Sequence, residues 1–474
     1  MTQKNETFKL LLALLATLAL IGIGVSWLGN RFNVGGFEGG TSIQPGETGT
    51  ASNRPRTLRD RFSAGDRLLV TEGATAEKQA AINALANGDY DQAVAELEQH
   101  FQDRQNRNDP EALIYLNNAR IGNQSSYTIA VAVPVDTSLN PALEILRGVA
   151  QAQDEINQAG GINGTPLRVL IVSDDNEPEV VAEVAESLVA DSTVLGVVGH
   201  FGSEASLAGA EVYDQGGLVM VSPTSTSVQL SSLGSHVFRT VPSDRFTAST
   251  LASHMVDDLQ EQNAVVYFNS ASDYSVSLKN QFITALSTGG GQVVDEIDVS
   301  VSGFNARSSL QQADQRGAEV LVLATNTPTL DQALQVIQEN RGERPILGGD
   351  SLFNPRVLEQ GQQDAEGMVV AVPWVISPNF RSPFVAASQS LWGGDVNWRT
   401  AMAYDAVQVL AEGLSRNPTR QGVQQTLSNS NFEIEGATGM IRFLASGDRN
   451  QPMQLVEIQP GNRSSYGYDF VPVD

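Results

Sequence analysis

From residue 127 to the end, the chain alternates two rhythms. Short apolar runs rich in Val, Ile and Leu recur: "YTIAVAVPV", "PLRVLIV", "VLGVVG", "GLVMVSP", then "NAVVYFN", "GQVVDEIDV", "AEVLVLAT", "RPILGGD" and "GMVVAVPW". Unbroken apolar runs of this length predict strands covered on both faces, as in a parallel sheet. Between them, "ALEILRGVAQAQDEINQAGG" and "TLDQALQVIQEN" place apolar residues at helical spacing. So many βαβ units exceed one doubly wound sheet of usual size. The pattern predicts two α/β lobes with a cleft between them.

The preceding part reads differently. Residues 10–28 are apolar throughout, after Lys4 and Lys9, with Trp27 near the end. At ~1.5 Å per residue a helix of that length spans roughly 28 Å, close to a bilayer's hydrocarbon core. The expectation is a transmembrane anchor or uncleaved signal at 10–28. Residues 1–9 would then be cytoplasmic, and the bulk of the chain would lie on the periplasmic side of a cell membrane. Residues 29–70 are rich in Gly, Ser, Thr and Pro and predict a flexible linker. In 74–122 helical spacing returns, with Ala81 and Leu85, then Ala93, Val94, Leu97 and Phe101, then Leu113 and Leu116. Its "NGDYDQAV" turn resembles the inter-helix turn of a tetratricopeptide repeat, and Asp109-Pro110 opens a third helix. Either a helical spacer packed on its neighbour or a peptide-binding array would satisfy this segment.

Composition narrows the chemistry. With 29 Lys and Arg against 54 Asp and Glu, the formal charge is −25. That field repels phosphate backbones, which argues against nucleic acid as a partner. No cysteine is present, which removes disulfides, thiolate metal sites and cysteine nucleophiles. The four histidines fall in no ligand-spaced pair, so neither a metal site nor a cofactor is expected.

Ligands of open parallel sheets bind beyond the carboxyl ends of the strands. Here those ends deliver "DTSLN", "HFGSEAS", "TSTS", "SASDYS", "TNTPT" and "GGDS": small hydroxyls, glycines, Tyr274 and Asp350. No lysine stands near Gly199 or Gly202, so the glycine turn is not a P-loop. Ser203 lies outside any G-x-S-x-G elbow, and no histidine has an evident triad partner. Enzymatic chemistry is not expected. The helix start after Gly202, with the Ser203 hydroxyl, makes a neutral cradle for a carboxylate. Thr224 and Thr226 add a carbonyl and a hydroxyl, and Asp350 supplies a fixed negative charge for an ammonium. For Ser203 and Thr226 taken alone, ordinary helix N-capping is the first reading, ahead of ligand contact.

Four stretches carry a resemblance: "LRGVAQAQDEINQAGGINGTPLRVLIVSDDNEP", "VVGHFGSEASLAGAEVYDQGGLVMVSPTSTS", "VFRTVPSDRFTA" and "ILGGDSLFNP…DAEGMVVAVP". Together they resemble the type I periplasmic binding proteins, in particular the leucine/isoleucine/valine branch that feeds ABC importers. The resemblance implies two doubly wound parallel-sheet lobes joined by a three-strand hinge. Lobe one would be 127–244 and 374–452, and lobe two 245–373 and 453–474. It also implies roles at matching positions. Ser203 and Thr226 would hold an α-carboxylate. The Thr224 carbonyl and Asp350 would hold the α-ammonium, and Tyr274 would be the aromatic residue of the second lobe. Asn326 stands where the leucine-binding branch has a tyrosine, and Ala142 where a large aromatic stands. That departure puts leucine itself in question while keeping an amino acid as the class. The implied partners are a free amino acid and an ABC permease. A helical segment fused to this fold also resembles activators of penicillin-binding proteins, and a ligand-sensing ectodomain is a further alternative.

Overall fold

The apolar runs form strands because Val and Ile at consecutive positions are β-branched and have cover on both faces. In this computed structural model, which describes residues 56–376 and 382–473, they assemble into two sheets. The first contains β1 (Phe62–Ser63), β2 (Tyr127–Val133), β3 (Leu167–Ser173), β4 (Val194–Val198), β5 (Met220–Ser222) and β6 (Val237–Arg239), ordered β1-β3-β2-β4-β5-β6. The second contains β7 (Asn263–Phe268), β8 (Gln292–Asp298), β9 (Val320–Ala324), β10 (Ile346–Gly348) and β11 (Val369–Val372). A small hairpin, β12 (Ile434–Gly436) with β13 (Gly439–Ile441), precedes β14 (Gln454–Pro460) and β15 (Tyr468–Pro472). These last two strands complete the second sheet, in the order β15-β14-β11-β10-β9-β7-β8.

Neighbours from β2 to β6 and from β7 to β11 pair in parallel, whereas β1, β14 and β15 join antiparallel at the edges. The fold is therefore α/β with mixed sheets, a type I periplasmic binding protein architecture. Between the sheets the chain passes three times, at 240–243, 373–376 and 450–453, which is the three-strand hinge.

The helices follow the same order. The first three, α1 (Ala76–Ala86), α2 (Tyr90–His100) and α3 (Pro110–Ile121), precede β2. Lobe one adds α4 (Leu139–Gln158), α5 (Pro178–Ala190) and α6 (Ser203–Gly216). Lobe two carries α7 (Asp244–Ser253), α8 (Asp273–Thr288), α9 (Ala306–Arg316), α10 (Leu330–Asn340) and α11 (Pro355–Gly361). After the second hinge passage α12 (Pro383–Trp392), α13 (Trp398–Arg416) and α14 (Arg420–Leu427) return to lobe one. Helices α4 and α13 pack against each other along their length. Gly148 permits this: a Cβ there would lie 2.2 Å from the Thr400 carbonyl oxygen.

Two expectations are corrected. Residues 56–70 do not behave as linker but are built into lobe one. Arg56 pairs with Asp136 at 2.6 Å and Arg61 with Asp175 at 2.7 Å, while β1 adds to the edge of β3. A two-residue strand is too short to show any periodicity. The second correction concerns the single-pass membrane placement. Among the described residues no helix is long and apolar enough to cross a membrane. The long helices α4 and α13 are interrupted by charges such as Glu144, Arg147 and Asp405. The stretch 10–28, on which that placement rested, lies outside the described residues.

The helical segment is stitched to lobe one through α3. Asn118 bridges both backbone groups of Val169 on β3, accepting from the N–H at 3.2 Å and donating to the carbonyl at 2.8 Å. Buried Glu111 accepts the backbone N–H groups of Leu69 and Val70 at 2.7 and 3.1 Å and pairs with Lys78 at 2.8 Å. Its carboxylate thus satisfies a bend whose N–H groups have no ladder partner. The "NGDYDQAV" turn joins α1 to α2, with Asp89 capping the N–H of Gln92 at 3.1 Å.

Candidate functional site: the interlobe cleft

In the first sheet strand order reverses between β2 and β4, and in the second between β7 and β9. Loops at the carboxyl ends of strands part at such switch points and leave a crevice. The two crevices face each other across a cavity of about 450 Å³. Lobe one contributes Ser138, the Phe201–Glu204 turn, Thr224 and the start of α5. Lobe two contributes Asn269, Tyr274, Asn326 and Asp350.

The glycine turn after β4 is held from behind. His200 is buried and bonds Asp174 at 2.6 Å and Tyr213 at 3.1 Å. This histidine orients the turn and does not face the cavity. The Gly202 N–H donates to Asn176 Oδ1 at 2.8 Å, and Gly202 is the N-cap of α6. The first N–H groups of α6 have no carbonyl partner within the helix, and Ser203 opens it on the cavity wall. Thr224 donates its hydroxyl to the Phe201 carbonyl at 2.9 Å, which ties the β5 loop to the β4 loop.

Opposite, Tyr274 donates its hydroxyl to Asp350 Oδ1 at 2.6 Å. Gly349 makes room for that contact, since a Cβ there would sit 2.5 Å from the tyrosine oxygen. Burial holds the Asp350 carboxyl above the usual carboxylate range, while the Tyr274 hydrogen bond and the Arg399 charge pull it back. Backbone N–H groups at 350–351 add weaker support, and a carboxylate held at the cavity wall keeps lone pairs for a further donor.

Ser203, Thr224, Tyr274, Asn326 and Asp350 thus line one cavity. Thr226 does not. It is fully buried behind the wall, its carbonyl accepting the Asp244 N–H at 2.8 Å. Its hydroxyl sits beside the Asp244 carboxyl without a well-aligned hydrogen bond. Asp244 is pushed up to about 7, chiefly by burial; the Ser277 and Thr226 hydroxyls oppose this and the Asp350 charge adds to it. Ala142 is also buried and off the wall.

Among the wall residues not singled out from sequence are Glu204, Trp398 and Arg399. Arg399 stacks over the Trp398 ring, 4.4 Å from its centroid, and pairs with Glu144 at 3.2 Å. Both open α13 after the second hinge passage, and their only local signal is the Asn397 cap at the start of "NWRTA".

A family model described as a periplasmic binding protein matches residues 126–463. The chain belongs to the periplasmic binding protein family. It is thereby one of a family of substrate-binding receptors, not enzymes. Among relatives, the "Leucine-, isoleucine-, valine-, threonine-, and alanine-binding protein" of Pseudomonas aeruginosa is 22% identical over 333 residues, 68% of this chain and 86% of that protein. A solved ABC transporter substrate-binding protein from Desulfitobacterium hafniense, in complex with Leu, superposes with a TM-score of 0.62 at 26% identity. It covers 73% of this chain and 100% of its own. A solute-binding protein of an ABC transporter from R. palustris, in complex with benzoate, shares the fold at 16% identity and a TM-score of 0.63, covering 74% of this chain and 98% of its own. The periplasmic binding protein fold thus receives ligands that differ in all but a carboxylate.

Proposed function

We propose that this periplasmic binding protein captures one free amino acid in the interlobe cleft and delivers it to an ABC importer. The observation that carries the proposal is the pairing of opposite chemistries on facing walls. Ser203 and the α6 start offer hydrogen-bond donors, and buried Asp350, oriented by Tyr274, offers a carboxylate that forms no ion pair among the described residues. An α-amino acid presents a carboxylate and an ammonium on one carbon, so each wall takes one group. Benzoate, which lacks an ammonium, would leave Asp350 buried without a counter-charge. Ligands named for the relatives include threonine and alanine beside leucine, which supports the amino acid class without fixing the side chain.

The rest of the wall favours a polar side chain. Asn269 donates to Asn326 Oδ1 at 3.1 Å, and Arg399 faces the same cavity. Phe201 and Trp398 supply the apolar surface. Calorimetry of the full chain against the common amino acids, diamino acids and benzoate tests the proposal. The expected result is one-site binding of an α-amino acid with a polar side chain. Binding of benzoate in preference to every amino acid would refute it.

A further inference from the structure

A second cavity lies outside the cleft, beside the hinge passage at 375–376. Its volume is about 430 Å³, close to that of the cleft and within the ~300–1,000 Å³ of small-molecule sites. Both lobes build it. Phe353 and Phe470 of lobe two, with ring centroids 4.4 Å apart, and Trp392 of lobe one provide apolar surface. Arg147 of α4 provides charge.

The charges around it are unevenly matched. Each acid on the wall is already engaged: Glu144 with Arg399 at 3.2 Å, Asp395 with Arg463 at 2.6 Å, and Asp469 with the backbone N–H groups of Arg463 and Ser464 at 2.9 and 2.6 Å. Arg147 forms no ion pair among the described residues. Its Nε donates to Asn108 Oδ1 at 2.6 Å, which leaves the two terminal nitrogens of the guanidinium as donors. Burial pulls its pKa down, and the nearby Glu144 charge only partly offsets this. A guanidinium fork of this kind receives a carboxylate through two parallel hydrogen bonds.

We propose that this cavity is a second ligand site for a small monocarboxylate with an apolar body, its carboxylate on Arg147 and its body against Phe353, Trp392 and Phe470. Because the walls come from both lobes, an occupant ties them together beside the hinge. The appended helical segment takes part through Asn108, the residue that orients Arg147.

The test is calorimetric titration of the full chain with 3-phenylpropionate and, separately, with the neutral 3-phenylpropionamide. The acid is expected to bind the wild type, and Arg147→Gln to weaken it at least tenfold. Asp350→Asn, which alters only the cleft, is expected to leave acid binding unchanged. The amide is expected to bind at least tenfold more weakly than the acid, a comparison that needs no variant to fold. No heat from the acid up to about 5 mM overturns the proposal. So do equal binding of acid and amide, or tighter acid binding in Asp350→Asn, which would put the acid in the cleft, where that substitution removes an opposing carboxylate.

Discussion

The carboxylate of Glu204 on lobe one accepts the backbone N–H of Asp273 on lobe two at 2.5 Å. Glu204 lies in the first turn of α6 and Asp273 opens α8, so an anion from one lobe meets the positive end of a helix on the other. Nearby, the Val228 N–H donates to Ser277 Oγ at 3.1 Å. These contacts latch the lobes beside the cleft. Replacing Glu204 with Ala is expected to speed ligand release about tenfold, or about 1.4 kcal/mol, near the lower end for a charge-assisted hydrogen bond. Stopped-flow release of the amino acid found by calorimetry checks this, and an unchanged rate would remove the latch from the mechanism.

Asp350 separates binding from stability. The residue is 4% exposed and its pKa is raised by burial, so charge there opposes folding while it favours an ammonium ligand. Asp350→Asn is expected to weaken amino acid binding at least 100-fold, roughly 3 kcal/mol, with a melting temperature equal to or above the wild type. Calorimetry and thermal denaturation together decide it. Lower stability with unchanged affinity would reverse the assignment.

Asp244 gives stability a pH dependence of definite sign. Its pKa is about 7 in the folded protein against 3.8 ordinarily, so between these values the folded form keeps a proton that the unfolded chain releases. The contribution is whole below about pH 4 and is lost as pH rises through 7, on the order of a few kcal/mol. Asp405, raised to about 6 by burial against the Arg449 charge, adds in the same direction. The melting temperature is expected to fall from pH 5 to pH 8. Asp244→Asn is expected to make that fall shallower, leaving the part due to Asp405 and Asp350, and an identical slope in the variant would clear Asp244.

Gly148 tests the packing of lobe one. A methyl at this position meets the Thr400 carbonyl oxygen at 2.2 Å and the Tyr404 nitrogen at 2.7 Å, both backbone atoms of α13 that no rotamer change can move. Gly148→Ala is expected to cost about 1–3 kcal/mol, measured by urea denaturation. Wild-type stability would mean that α4 and α13 separate without cost.

The fold was legible because its strands are buried on both faces, and such strands announce themselves as unbroken apolar runs. The turns after β4, β9 and β10 were legible for a related reason: glycines and small hydroxyls end a strand visibly, and sheet topology tells which end faces a ligand. Ser203 and Asp350 were singled out in that way, as were Thr224 after β5 and Tyr274 after β7, and Asn326 through the family resemblance; all five line the cleft. Thr226 shares the same loop and the same chemistry, yet its side chain turns inward to Asp244. Local sequence does not distinguish the two directions.

By itself, then, the sequence determined the α/β class, the two lobes and a few residues on each wall, since these follow from local periodicity and from where strands stop. Tertiary structure alone decided that residues 56–70 join lobe one, that Trp398 and Arg399 enter the cleft, and that Arg147 lines a second cavity. Each of these depends on elements far apart in the chain coming together at the hinge. Such contacts arise from packing between lobes, and packing leaves no periodic trace in the residues that make it.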